Sequence, residues 1–407
     1  MKKKAALFAA AAVTVALALS GCSDDGGGTS ILPGAASAAP TGDPILIGMD
    51  LDKTGPGSSY NPLAGAAVVA GVAEVNANGG ILGRPVKLIE ESTESDPAKG
   101  PAVYQSLIEQ GAVGILGLST ASVVAQVKPI IEQAKVVTIA PVAVLPTLTD
   151  QPDADYVYTL VNPVTDYGSV FCGAFEKAGI KKLAYLQDDS PAIKSLAGPL
   201  KDAFGKCVTI VADEVAPVAS TDLVAQATRI KDSDPDAIFV QSVGGQFEAL
   251  AHSALYQAMP DVPRFSQGSF GSQSDSWALA TPGALDGLVF MQQLDLTNPR
   301  TEDLQAKLTT ALGSDFTMSY FAAQGYDGLM VLLDAIKTAG GTDDPAAIKA
   351  AMDATTDYQP HVGQEGFRIS YTPTKHVGAD SLCGLALFDF GSDNTPAGKW
   401  STFQPAC

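Results

Sequence analysis

The sequence is poor in basic residues and in aromatic residues. Lys and Arg together number 25 against 44 Asp and Glu, which gives a formal net charge of −19. A surface this acidic repels nucleic-acid phosphates and anionic lipid headgroups, so neither is expected as a partner. Aromatic residues make up 7% of the chain, while Ala, Val and Gly are abundant. This composition suits helices that pack closely on buried parallel strands.

Signatures of catalysis and of metal binding are also missing. The sequence has no Gly-x-Ser-x-Gly elbow, no Walker loop and no His-Glu-x-x-His. Its three histidines, His252, His361 and His376, are scattered, and no two cysteines have the spacing of metal ligands. His252 falls within an apolar helical pattern and is expected to be a packed or capping residue. We therefore expect no enzyme, no cofactor and no metal site.

One long apolar run is present, at the amino terminus. Three lysines at 2–4 precede an apolar stretch at 5–19 that is short for a membrane span. Residues 19–22, Leu-Ser-Gly-Cys, resemble a lipobox. Residues 1–21 are therefore predicted to be a lipoprotein signal peptide and Cys22 the lipidated residue, the alternative being an ordinary secretory signal. The lipid alone would anchor the protein outside a bacterial plasma membrane, and loss of the three lysines would change the net charge from −19 to −22.

Four further cysteines remain in the exported chain. An even number in an oxidising compartment predicts two disulfides, with three possible connectivities. The sequential pairs, Cys172–Cys207 and Cys383–Cys407, are favoured because each would join neighbouring segments. Each would then contribute about 3–4 kcal/mol in the chain-entropy model.

The rest of the chain alternates between strand-like and helix-like patterns. Residues 22–43 are rich in Gly, Ala, Ser and Pro and are predicted to be a flexible tether. Strands are predicted at 45–49, 86–89, 113–116, 136–139, 183–186, 208–211, 237–240 and 288–291. Helices are predicted at 62–78, 97–110, 121–134, 165–178, 191–204, 222–231, 246–258, 304–312 and 326–339. A hairpin is predicted within 367–403.

Continuous apolar strands that are each followed by a helix indicate parallel sheets covered on both faces. The pattern occurs twice, and the chain is too long for one core, so we expect an α/β fold of two similar doubly wound lobes joined by a hinge. The first lobe would comprise 44–160 plus 289–360, and the second 161–288 plus 361–407. A ligand would bind in the cleft between them, beyond the carboxyl ends of the strands.

Several motifs resemble one known family. Residues 54–60 read Thr-Gly-Pro-Gly-Ser-Ser-Tyr, and residues 76–85 read Asn-Ala-Asn-Gly-Gly-Ile-Leu-Gly-Arg-Pro. Further matches are Ser-Asp-Pro at 95–97, Gly-Leu-Ser-Thr at 117–120, Ala-Pro at 140–141 and Tyr-Asp-Gly at 326–328. In this order they resemble the substrate-binding proteins of branched-chain amino acid type ABC transporters, which have the type I periplasmic-binding-protein fold.

The resemblance implies an extracytoplasmic monomer that captures a small-molecule solute and delivers it to an ABC permease. It implies that Tyr60 packs against the ligand and that Ser119 and Thr120 hold its carboxylate-like end, the alternative for this pair being simple helix capping. The candidate ligand-binding residues are Tyr60, Leu118, Ser119, Thr120, Val142, Ala143, Gln187, Gln241, Ser242 and Ser269. A receptor of the same fold that senses a ligand without transport is the alternative function.

The sequence departs from the family pattern where an amino acid would bind. The loop at 142–144 has no hydroxyl, and the second-lobe loops at 241–244 and 266–269 have no acid to accept from an ammonium group. Either Asp188 or Asp189 supplies that acceptor, or the ligand is not an amino acid. We favour the interpretation of these two acids as a solvated turn that caps the next helix. A small neutral or anionic ligand with amide or apolar character is then expected, and an amino acid stays possible.

Overall fold

Residues 39–407 are described by a computed structural model and form two mainly parallel sheets with their covering helices. The predicted signal peptide, Cys22 and the tether up to residue 38 lie outside the described residues. In the described part, no helix combines the length and the apolar character needed to cross a bilayer.

The first lobe is built on a five-stranded parallel sheet. Its strands are β1 (Ile45–Asp50), β2 (Val86–Glu91), β3 (Gly114–Gly117), β4 (Val137–Ala140) and β5 (Val157–Thr159). They lie in the order β2-β1-β3-β4-β5. The helices between them are α1 (Asn61–Ala77), α2 (Gly100–Glu109) and α3 (Ala121–Ala134). Every residue of β3 and β4 is buried, as expected for strands covered on both faces.

The second lobe is built on a seven-stranded sheet. Its strands are β6 (Lys182–Asp188), β7 (Thr209–Ala216), β8 (Ala237–Gln241), β9 (Arg264–Ser266), β10 (Val289–Gln292), β11 (Ala386–Phe390) and β12 (Pro396–Lys399). The order is β12-β11-β10-β9-β8-β6-β7, parallel except for β11 and β12, which form the hairpin expected near the carboxyl terminus. Its helices are α4 (Val164–Ala178), α5 (Pro191–Phe204), α6 (Val224–Asp232), α7 (Gly245–Ala258) and α8 (Ser274–Trp277).

Three late helices return to the first lobe: α9 (Pro299–Leu312), α10 (Tyr320–Thr338) and α11 (Pro345–Asp353). Helix α10 packs along α1, where a Cβ atom on Gly325 would come within 2.5 Å of the Ala64 carbonyl oxygen. The glycine therefore permits a close contact between helices and does not end the helix. Helix α10 begins at Tyr320, six residues before the predicted start, and the Ser319 hydroxyl caps it by accepting from the Ala322 amide.

The predicted fold class is confirmed, because both lobes are α/β with mainly parallel sheets. The lobe boundaries differ from the prediction in two places. Strand β10, which begins at Val289, pairs with β9 and β11 and so lies in the second-lobe sheet. Ile369 and Tyr371, expected in the second lobe, pack in the first-lobe core, where Tyr371 meets the ring of Tyr158. Elsewhere the proposed boundaries stay a prediction.

Both disulfides join the sequential pairs that the sequence favours. Cys172 on α4 is bonded to Cys207, which follows α5, and Cys383 is bonded to Cys407 just beyond the terminal hairpin. The bonds therefore close two short loops, one in the middle of the chain and one at its carboxyl-terminal end.

Candidate functional site

A narrow crevice of about 60 Å³ lies between the two lobes. This volume holds only a few water molecules, so a solute would enter with the lobes further apart. Apolar side chains from both lobes form much of its wall, including Ala121, Val142, Val144, Ile193, Leu196 and Phe321. All fifteen lining residues are uncharged types, and the polar ones are tyrosine, glutamine and serine.

Three tyrosines, Tyr60, Tyr167 and Tyr320, contribute to the lining. Tyr60 stacks on Phe321 with ring centroids 4.6 Å apart. Burial raises the pKa of each of these phenols above its usual value. They therefore stay neutral and offer hydroxyl groups without charge.

Two glutamines form a hydrogen-bonded chain at the back of the crevice. Gln293 donates to the Tyr167 hydroxyl, and Gln324 donates to the Gln293 carbonyl. The side-chain oxygen of Gln324 has no hydrogen-bond partner among the described residues, although Gln324 is only 1% exposed. A buried acceptor of this kind is costly unless a ligand supplies a donor.

A third glutamine reaches the crevice from the loop after β9. The Gln267 side-chain oxygen accepts from Gln241 at 2.9 Å, and its nitrogen donates to the Ser242 carbonyl at 3.3 Å. Gln241 and Ser242 therefore support Gln267 from behind. Ser269, two residues further along, also lines the crevice.

Ser119 belongs to a buried polar cluster below the first-lobe wall. Its hydroxyl donates to the Asp52 carboxylate and lies 3.0 Å from the Thr93 hydroxyl. Asp52 also accepts from the Ser95 amide at 2.8 Å and hydroxyl at 2.9 Å. Burial, together with the Asp52 carboxylate, raises the pKa of neighbouring Asp50 well above its usual value.

The candidate residues divide into two groups. Tyr60, Val142 and Ser269 line the crevice. The others are used elsewhere in the fold. Leu118 and Ala143 lie in the hydrophobic cores, the Gln187 oxygen accepts from Lys201 at 3.3 Å, and the Thr120 and Ser122 hydroxyls lie 3.0 Å apart. Thr120 is the first residue before α3 but makes no side-chain capping bond.

The two acids weighed as ammonium acceptors are both used within the second lobe. Asp188 is fully buried and accepts from the amides of Ser190 and Val243, each at 2.9 Å. Asp189 accepts from the Val218 amide at 2.9 Å. The expected solvated turn is therefore wrong for Asp188, because the carboxylate ties two loops together in the interior. The hydroxyl of Ser190, and not either acid, caps α5.

A third second-lobe acid, Glu248, was missed from the sequence. It lies fully buried in the first turn of α7 and accepts from the hydroxyls of Ser242 and Ser266. His252 lies one turn further along, with Nε2 3.5 Å from the Glu248 carboxylate. Glu248 does not line the crevice, but it joins the two loops that carry Val243 and Gln267.

The two lobes touch across the crevice mouth. The hydroxyl of Ser59, in the loop after β1, donates to the Val243 carbonyl at 3.2 Å. The Gln273 side-chain nitrogen donates to the same carbonyl at 3.1 Å and to the Ser59 hydroxyl at 3.3 Å. Within residues 39–407, no group of three or more His, Cys, Asp or Glu is arranged to hold a metal ion.

A crevice between two parallel-sheet lobes, reached by the loops beyond the strands, is typical of proteins that bind a small solute. Residues 44–381 match the family described as periplasmic binding protein, and the chain belongs to that family. The resemblance inferred from the motifs is confirmed. Members of this family bind small molecules outside the cytoplasm and work with ABC transporters.

Relatives and solved structures agree with this assignment. The Leu/Ile/Val-binding protein homolog 3 of Brucella melitensis is 26% identical over 347 residues, which cover 83% of this chain and 90% of that protein. The branched-chain amino acid transporter substrate binding protein of Streptococcus pneumoniae, solved with isoleucine, superposes with a TM-score of 0.76 at 21% identity, covering 89% of this chain and 100% of that one. An R. palustris solute binding protein solved with 4-hydroxybenzoate superposes with a TM-score of 0.73 at 21% identity, covering 90% of this chain and 96% of that one. At these identities the structures establish the fold.

Proposed function

We propose that this protein is the lipid-anchored solute-binding component of an ABC importer. It captures one small organic solute (an amino acid, an amide or a related compound) in the interlobe crevice and delivers it to the permease. The observation that carries the proposal is the crevice itself, to which both lobes contribute apolar walls and converging hydroxyl and amide groups.

Capture would work by hinge closure. The chain passes between the lobes after β5, after β10 and before β11, and these connections allow the lobes to move as bodies. Periplasmic binding proteins are a known example of hinge closure around a ligand. The Ser59–Val243 and Gln273–Ser59 bonds at the mouth would form as the lobes close. A closed monomer then presents both lobes to the permease.

The test is thermal unfolding of the purified exported chain against a solute library. Leucine, isoleucine and valine come first, because the Brucella relative is a Leu/Ile/Val-binding protein homolog; amides, polyamines and aromatic acids follow. A ligand at a hundred times its Kd stabilises the folded state by about 2.7 kcal/mol, so a clear rise in Tm is expected for one class. No rise across all four classes would contradict the proposal.

A variant pair locates the binding. Val142→Trp should fill the crevice and abolish the rise in Tm, because Val142 lines its first-lobe wall. Val69→Trp is the matched control, since Val69 is 50% exposed on α1 and does not line the crevice. Equal responses from both variants would place the binding elsewhere.

Anchoring is tested separately, in a bacterium that produces the full chain. Wild-type protein should fractionate with the membrane and incorporate a labelled fatty acid, because the sequence at 19–22 resembles a lipobox. Cys22→Ala should remove the label and release any mature protein to the soluble fraction. Unchanged membrane association of Cys22→Ala would reject the anchor but not the binding function.

A further inference from the structure

The crevice offers no charged partner to an ammonium group. Two acids of the second lobe, Asp188 and Glu248, are fully buried and accept from loop amides and serine hydroxyls. Neither lines the crevice, and none of the lining residues carries a carboxylate. A buried ammonium without an acceptor costs several kcal/mol. An α-amino group would therefore bind poorly here.

The crevice is equally unsuited to a carboxylate. Lysine, arginine and histidine are absent from its lining. The hydroxyl of Ser119, which could have received a carboxylate, donates to Asp52 instead. Burial, and after it the Asp52 carboxylate, raises the pKa of Tyr60 on the crevice wall. The same two causes would disfavour a ligand anion there.

The polar groups that remain are amides and neutral hydroxyls. Gln324 lines the crevice, and its side-chain oxygen is buried without a partner among the described residues, because its nitrogen donates to Gln293. Rotation of both amides by 180° would keep their mutual bond and present an N–H group in place of the oxygen. A ligand carboxamide both donates and accepts, so it complements either arrangement. An alcohol or ketone complements them less completely.

The rest of the lining is apolar and comes from both lobes. Phe321 is stacked on Tyr60, and branched side chains face it from both lobes, among them Val142, Ile193 and Leu196. We infer that the crevice binds a small uncharged carboxamide with an apolar substituent in preference to a zwitterionic amino acid. The inference rests on the proposed function and names the chemical class of its solute.

The first experiment compares matched ligands on the wild-type protein. Isovaleramide and benzamide are titrated by calorimetry beside isovalerate, benzoate, isopentylamine, benzylamine and leucine. At least one amide should bind tenfold or more tightly than its carboxylate, its amine and leucine. If leucine or another charged compound binds more tightly than both amides, the inference is overturned while the proposed function stands. If neither these compounds nor the solute library bind, both fall.

The second experiment changes Gln324. Gln324→Leu should weaken amide binding about tenfold or more, because a ligand hydrogen bond is lost. Gln324→Glu supplies the missing carboxylate and should improve binding of isopentylamine relative to isovaleramide, a change of preference that a loss of folding cannot produce. Gln105→Leu is the control, since Gln105 is exposed on α2 and bonds only Glu109. Unchanged preference in Gln324→Glu would contradict the inference.

Discussion

The hydroxyl of Ser119 donates a hydrogen bond to the carboxylate of Asp52, and both side chains are fully buried. This bond joins the loop after β3 to the loop after β1, two neighbouring strands of the first-lobe sheet. Ser119 therefore stabilises the two first-lobe loops that it joins. It lies just before α3, where a ligand-binding residue could lie, but its hydroxyl hydrogen is already donated to Asp52.

Replacing Ser119 should reduce stability more than it reduces ligand binding. Ser119→Ala leaves the buried Asp52 carboxylate one donor short, and the free energy of unfolding should fall by about 1–3 kcal/mol. Thr120→Ala is the control, because the Thr120 hydroxyl meets only Ser122. Urea unfolding and calorimetry would measure the two effects. Strong loss of ligand affinity with unchanged stability in Ser119→Ala would restore Ser119 to the binding site.

Asp50 should make stability depend on pH. Its pKa is raised by burial and by Asp52, so it lies above the value in the unfolded chain, about 3.9. The contribution of such a group is complete below the unfolded pKa and is lost as the pH rises through the folded pKa. Asp50→Asn has no titrating group at this position and so does not lose stability in this way. The free energy of unfolding of the variant should therefore rise relative to that of wild type between about pH 4 and pH 7.

The matched control for Asp50 is Asp393, an exposed acid whose pKa is lowered. Hydrogen bonds from Thr395 lower the pKa of Asp393, so its contribution is complete above the unfolded pKa and is lost only in stronger acid. Asp393→Asn should follow the wild type between about pH 5 and pH 7. Urea unfolding at several pH values measures both variants. Parallel curves for Asp50→Asn and wild type would contradict the prediction.

The sheets could be predicted from the sequence, because each buried strand is a short apolar run followed by a helical pattern. Tyr60 and Val142 could be found for a related reason, since they follow β1 and β4 and such loops meet at one edge of a sheet. Asp50 ends β1 and Asp52 follows it, so both could have been found in the same way, but they were missed. Glu248 was harder to find, because it lies inside a helix and not in a loop that follows a strand.

The rest of the crevice depends on how distant segments meet. Gln293 follows β10, 126 residues beyond its partner Tyr167, and Gln324 in the first turns of α10 bonds Gln293 in turn. No local pattern distinguishes these glutamines from surface ones. The serine before α10 was the available signal, because Ser319 followed by an apolar run predicts a helix start there.

Glu248→Gln should loosen the second-lobe wall of the crevice. The substitution places an N–H₂ group where a serine hydroxyl donates, at Ser242 or Ser266. Loss of that bond should lower the free energy of unfolding by about 1–3 kcal/mol and weaken the ligand, because the loops carrying Val243 and Gln267 lose their common support. Glu302→Gln, exposed on α9, is the control. Urea unfolding and calorimetry would decide, and wild-type values for Glu248→Gln would reject this role.

Loss of the Cys172–Cys207 disulfide should destabilise the protein. The bond spans a sequence separation of 35 residues, for which the chain-entropy model gives about 4 kcal/mol. The Cys172→Ser/Cys207→Ser double variant should therefore unfold at lower urea concentration than wild type. The Cys383→Ser/Cys407→Ser variant removes a bond that spans 24 residues, and its free energy of unfolding should fall slightly less. Non-reducing peptide mapping checks the pairs, and free thiols in the wild type would overturn the pairing.

Ser59→Ala should weaken closure of the lobes. Ser59 is a first-lobe residue whose hydroxyl both donates to the Val243 carbonyl and accepts from Gln273. A ligand held between closed lobes has an apparent affinity that falls with the population of the closed state. The lost bonds should therefore raise the ligand dissociation rate several-fold, with little change in the free energy of unfolding. Stopped-flow measurement would test this against Ser58→Ala, since Ser58 is the exposed neighbour. Equal dissociation rates in the two variants would mean that the contact forms without contributing to capture.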